Sequence, residues 1–143
     1  MSDTAVAHEE RLARVALNRL AEPGDARLAR LVDDLGAVAV RDHLVAERPS
    51  DLRDDVAARL AAIDPEAEIA AAAKAGIRFV VPGDAEWPVG LGGLAAAGAV
   101  TQRGGSPVGL WVRGRELTSS ARGVAVVGSR SATTYGSRVA SDM

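Results

Sequence analysis

VAVVGSRSATTYG, residues 124–136, carries the strongest architectural signal in the chain. Val124–Val127 is apolar at every position, which suits a strand buried on both faces in a parallel sheet. Gly128 allows a sharp turn and the close approach of a ligand. Thr133 or Thr134 can cap a helix that Ser137–Met143 continues. A buried strand turning into a helix aims unpaired backbone N–H groups at one spot, and the helix dipole adds partial positive charge there. Ser129 offers a hydroxyl, and Arg130 can place two N–H bonds on phosphate oxygens. The loop therefore suits an anion, most naturally a phosphate. It lacks the G-x-G-x-x-G fingerprint and the Lys-Ser/Thr of a P-loop, so neither NAD nor ATP is indicated and no cofactor is expected. The competing reading is that Gly128 only makes a turn while Arg130 pairs with an acid elsewhere.

Upstream of this step the pattern is helical. Val6, Leu12, Val15, Ala16 and Leu20 fall at helical spacing over 5–20, with Arg11, Arg14 and Arg19 largely between them. Pro23-Gly24 breaks that helix. Asp25 can cap the next, with Leu28, Leu31, Val32 and Leu35 as its stripe and Gly36 as a left-handed cap. A third helix is expected over 37–47, before Pro49. Ser50 is the candidate cap of a fourth, with Leu52, Val56, Leu60 and Ile63 inward and Asp51, Asp54 and Asp55 near its positive end. Asp64-Pro65 opens a fifth, which Gly76 ends. Five short helices predict a compact bundle, and the Leu35-Gly36 turn resembles a helix-hairpin-helix or SAM-like unit. Its expected role is to dock on a partner or on the rest of the chain. His43 reads as a partly exposed helical residue.

From Ile77 the period changes. Ile77–Val81 is a β-rich run between Gly76 and Pro82, and Pro82-Gly83-Asp84 is turn chemistry. Residues 90–107, rich in Gly and Ala, read as a loose, partly helical connection. Val108–Arg113 reads as a second strand, ended by Gly114. Trp87 and Trp111 could stack on bases, but packing is the stronger expectation for each where aromatics are only 3% of the chain. The predicted fold class is α/β, with a small helical domain over 1–75 and the start of a Rossmann-like domain over 76–143.

With 143 residues, 48% of them apolar, the chain can bury a core. It has no cysteine, hence no disulfide or thiolate site, and His8 and His43 are too far apart in sequence to suggest a metal centre. The start has no signal-peptide pattern, and no run is long enough to span a membrane, so a cytoplasmic protein is expected. The net charge of −2 hides an asymmetry. Residues 1–75 carry ten basic and fifteen acidic side chains, and 76–143 carry seven and four. An anionic partner should therefore meet the second half.

Residues 124–136 resemble the V-G-S-R-x-A-T-x-Y-G signature of the DNA-processing protein A (DprA/Smf) family. GIRFVVPGDAEWPVGL at 76–91 and PVGLWVRG at 107–114 support the resemblance, in the right order. It covers about half the chain strictly and the helical front loosely. It implies a cytoplasmic protein without known catalysis that binds single-stranded DNA during natural transformation and loads the RecA recombinase onto it. It also implies an N-terminal helical domain, a Rossmann-like core and a homodimer. Carried over by position, the phosphate-binding residues are Gly128, Ser129 and Arg130, and Thr133, Tyr135 and Gly136 match the rest of the motif. Ser129 and Arg130 are the expected phosphate contacts, and Tyr135 is expected to pack or shape the loop. Two features depart from the family: Trp87 stands where Tyr is usual before Pro88, and the connection at 92–106 is long. The family's second glycine-rich segment and dimerisation strands have no counterpart before Met143. The expectation is a fragment or truncated product with weak DNA binding at most. The alternatives are a Rossmann-like phosphoribohydrolase acting on nucleoside monophosphates, which would need a second glycine-rich loop with an acidic group, and a helical interaction module.

Overall fold

The computed structural model describes residues 3–46, 54–97, 104–117 and 131–142. Five helices come first: α1 (Asp3–Leu20), α2 (Ala26–Leu35), α3 (Ala37–Ala46), α4 (Asp54–Ala61) and α5 (Pro65–Lys74). Strand β1 (Ile77–Val80), a 3-10 helix (Val89–Ala97), β2 (Leu110–Arg113) and α6 (Thr134–Asp142) follow. No helix among the described residues is long and apolar enough to cross a membrane.

The local stop and start signals act as their chemistry requires. The Asp25 carboxylate accepts the amides of Arg27 and Leu28, both at 2.9 Å, and so caps α2. Asp64 accepts Ala67 N at 3.0 Å, with Pro65 in the first turn of α5. Gly36 closes α2 at φ 83, but its ψ of 153 is extended, not left-handed helical as expected, because α3 starts at once and the chain must leave in a new direction. Glu10 of α1 then caps α3 from a distance: its carboxylate accepts Ala37 N at 3.1 Å and Val38 N at 3.4 Å. The candidate cap Ser50 and inward Leu52 lie outside the described residues, as does the whole of Val124–Val127.

α1 is the centre of the molecule. Leu12, Ala13, Val15, Ala16 and Leu17 are all buried, so the helix is enclosed on more than the single stripe its periodicity suggests. Ala13 and Leu17 join Val32, Ala37, Val40 and Val108 in one core cluster, and Val15 joins Phe79 and Val81 in another. α2 departs from its expected stripe: Ala29 and Val32 are buried, whereas Leu31 and Leu35 are exposed. The reason is Gly105, which lies so close to α2 that a Cβ there would stand 2.5 Å from the Ala29 Cβ. The Gly104 and Gly105 amides both donate to Gly24 O. The connection expected to be loose is thus in part a 3-10 helix and in part pinned against the α1–α2 corner.

β1 and β2 form an antiparallel pair in the register Ile77 to Arg113 and Phe79 to Trp111. β2 starts two residues later than expected because Val108 and Gly109 are spent on packing: Val108 O accepts from Arg14 at 2.9 Å. The described architecture is therefore mixed α and β, a helical layer with a two-stranded antiparallel sheet against α1.

Candidate nucleic-acid interface

The loop predicted to hold a phosphate, Gly128, Ser129 and Arg130, lies outside the described residues. The structure resumes at its far end. Thr133 caps α6: its Oγ1 accepts Gly136 N at 3.1 Å, and its carbonyl accepts Ser137 N at 2.9 Å. This is one of the two caps the sequence offers, and it satisfies one of the first-turn amides that an α-helix leaves unpaired. Gly136 sits tight under that cap, since a Cβ there would come 3.4 Å from Thr133 Oγ1. Tyr135, expected to pack or to shape the loop, packs on no described residue, and the loop itself lies outside the described residues. The Tyr135 side chain is 78% exposed, because every described side chain of α6 faces solvent and none lies over it.

The use of the arginines separates structural cations from free ones. Arg11 Nη1 donates to Phe79 O and Asp84 Oδ2, and Nη2 donates to Asp84 Oδ1, each at 2.8 Å. Asp84 also accepts Val81 N at 2.8 Å. The clasp joins α1 to the Pro-Gly-Asp turn after β1. Hydrogen bonding from Arg11 holds the Asp84 carboxyl below its usual range, against partial desolvation, and the same bond raises the Arg11 guanidinium. Arg78 makes a second clasp, with both bonds to Glu86 at 2.6 Å and further bonds to Gly114 O and Arg115 O. That pairing lowers the Glu86 carboxyl. Arg14 bridges Glu10 and Val108 O, and Arg41 bridges Glu9 and Asp42.

These contacts escape sequence reading because their partners are far along the chain: Arg11 meets Asp84 over 73 positions, Arg14 meets Val108 over 94. The only signal is that both arginines border a buried helical stripe and Asp84 ends a turn. Arg113, Arg115 and Arg138, in contrast, are exposed, and their side chains have no partner among the described residues; the same holds for Arg27 and Arg30 on α2. The first three belong to the basic half of the chain, the last two to the acidic half.

The Asp84 clasp gives a pH dependence of defined sign. A carboxyl depressed in the folded state contributes stability above its unfolded pKa of about 3.9, and that contribution is lost as pH falls through the lower folded value. Asp84→Ala is expected to cost about 1–2 kcal/mol at pH 7, since the pair is only partly shielded from solvent. Urea denaturation at pH 7 and pH 3 checks this: the gap between variant and parent should shrink at pH 3, and a constant gap would discount the ion pair.

With this geometry in view, comparison with known proteins places the chain. Residues 78–143 match the family model described as DNA recombination-mediator protein A. DNA processing protein DprA of Mycobacterium tuberculosis, in two strains, is 37% identical over 135 residues, which is 89% of this chain and 34% of that protein. The chain thus spans about a third of the length of the curated relatives it matches. No solved structure matches it. Apart from Ile77, the strand pair, its turn and α6 fall in the region that matches the recombination-mediator family model. The chain belongs to the DNA processing protein A family.

Proposed function

We propose that this chain binds single-stranded DNA in DNA processing, through a phosphate contact at Gly128, Ser129 and Arg130. The observation that carries the reading is the glycine-serine-arginine motif within residues 78–143, the region that matches the recombination-mediator family model. The exposed arginines of that region add support, although Arg27 and Arg30 on α2 are equally exposed. Arg11, Arg14, Arg41 and Arg78 are tied to acids and carbonyls. Arg113, Arg115 and Arg138 stand exposed without partners among the described residues, in the half of the chain that carries the phosphate motif. The Thr133 cap adds support, since it opens α6 at Thr134, four positions along the sequence from Arg130, and a helix N-terminus favours an anion. Membership of the family favours DNA over a free nucleotide. One further part of the proposal rests on the family alone: action without catalysis, with RecA recombinase as the downstream partner; homodimer formation is assigned to the intact family member and is not proposed for this chain. On this reading, residues 1–75 form the helical domain and 76–143 the start of the Rossmann-like, DNA-contacting one.

Binding led by phosphate contacts weakens with salt. On single strands the logarithmic slope is about −0.7 per neutralised phosphate. Anisotropy of labelled oligothymidine at several salt concentrations should therefore give a steep slope. Arg130→Ala should reduce affinity about tenfold and make the slope shallower by about 0.7. Equal affinity and slope in that variant would reject the assignment of the loop.

A further inference from the structure

An open groove of about 330 Å³ lies between α5, the end of α1 and the strand pair. Arg19, Glu68, Ala71, Ala72, Ile77 and Trp111 line it. Its volume is at the lower end of the range of small-molecule clefts, enough for one flat ring system. The alanines keep the α5 wall low. The opposite wall is an aromatic face that is already held in place. Trp111 Nε1 donates to Asn18 Oδ1 at 3.1 Å, and the indole rests against Phe79 with ring centroids 4.7 Å apart at 52°. Even so, Trp111 remains 36% exposed. Its only polar atom is satisfied and one side is packed, so what it offers the groove is π-surface on a rotamer that need not be ordered on binding.

The charge around it selects the partner. Successive side chains of a strand alternate faces, so Trp111 and Arg113 share one, about 6.8 Å apart along the strand. Arg113 stands opposite Ile77 in the register, at the groove edge, exposed and unpaired among the described residues. Arg19 borders the other side, bonded to Glu68 at 3.1 Å yet 61% exposed. A flat apolar surface beside a free guanidinium matches a group that is itself flat and attached to an anion.

We infer that this groove is a stacking subsite for one base of a DNA single strand, with the base against Trp111 and the adjoining phosphate at Arg113. The inference rests on the DNA-binding reading above and adds to it a contact far from the glycine-serine-arginine motif in sequence. Such a subsite accepts any base, because every base has a π-face.

The test uses the full chain carrying Trp87→Phe, so that Trp111 is its only tryptophan. It is titrated with oligothymidine and with an abasic oligomer of the same length, following Trp111 emission and the anisotropy of a label on the DNA. Oligothymidine should quench Trp111, and the abasic oligomer should bind more weakly without quenching. Trp111→Ala should weaken oligothymidine binding roughly 5- to 100-fold and remove the preference over the abasic strand. Ala71→Gln, on an exposed helical position, should fill the groove and have the same effect without disturbing the indole's packing. Oligothymidine binding without quenching, with affinity unchanged in folded Trp111→Ala and Ala71→Gln, overturns the subsite and leaves the phosphate loop standing. Loss of binding in Arg130→Ala alone, with no base dependence in the parent, likewise overturns the subsite and keeps the loop. No binding of either oligomer by the parent overturns both readings.

Discussion

Gly109→Ala is expected to destabilise the fold by about 2–3 kcal/mol, the cost of overpacking a filled core. A Cβ built at Gly109 overlaps the tip of the Phe79 ring at Cζ and stands 2.6 and 2.8 Å from its two Cε atoms. An aromatic ring on the surface could swing away from one methyl group. Phe79 is 5% exposed, clustered with Val15 and Val81, and in tilted contact with Trp111, so it has nowhere to go. Urea denaturation should show a lower midpoint with an unchanged slope, the signature of lost stability without a change in the exposed surface. A second substitution isolates the cause. Phe79→Leu removes the ring atoms that a Gly109 Cβ would meet, so Gly109→Ala should cost less in that background than alone, as contacting sites are non-additive. If the two effects simply add, the overlap is not the reason. The same substitution bears on the groove, because a displaced Phe79 removes the support behind Trp111.

The largest loss of stability is expected from Leu17→Ala, about 3–4 kcal/mol, within the range measured for buried leucines. Leu17 is fully buried among Ala13, Val32, Ala37, Val40 and Val108. These neighbours come from three helices and the approach to β2, so collapse around the lost volume would have to move all of them. Leu35→Ala is the contrast. Leu35 belongs to the apolar stripe that helical periodicity assigns to α2, yet it is 60% exposed, and its removal should change stability by no more than about 0.5 kcal/mol. Thermal unfolding of both variants compares periodicity with packing. Equal losses would mean that the described core is misassigned.

Chain signals and packing diverge in this protein along a clear line. Asp25 and Asp64-Pro65 are legible as helix starts, and Thr133 as one of two adjacent candidates, because a cap bonds an amide two or three residues away. The cap on α3 is not legible in this way. It comes from Glu10, 27 positions back, and nothing near Ala37 announces it. The strand at Ile77–Val80 is visible from its β-branched and aromatic residues, but its antiparallel partner and its place against α1 are not. Of the candidate site, the glycine-serine-arginine motif is plain in the residues. The exposure of Trp111 is not, because an aromatic in a chain so poor in them is more naturally a packing residue.

What the amino-acid order determines by itself is therefore local: where helices begin and break, where the period turns from helix to strand, which family motif the chain carries, and which half is basic. Which cations remain free and which apolar residues remain uncovered depends instead on packing between distant segments. Arg11 and Arg113 are the same residue type, yet one is bound by Asp84 and the Phe79 carbonyl while the other faces solvent. That difference arises from groups brought together across some seventy positions of chain, and no window of neighbouring residues contains it.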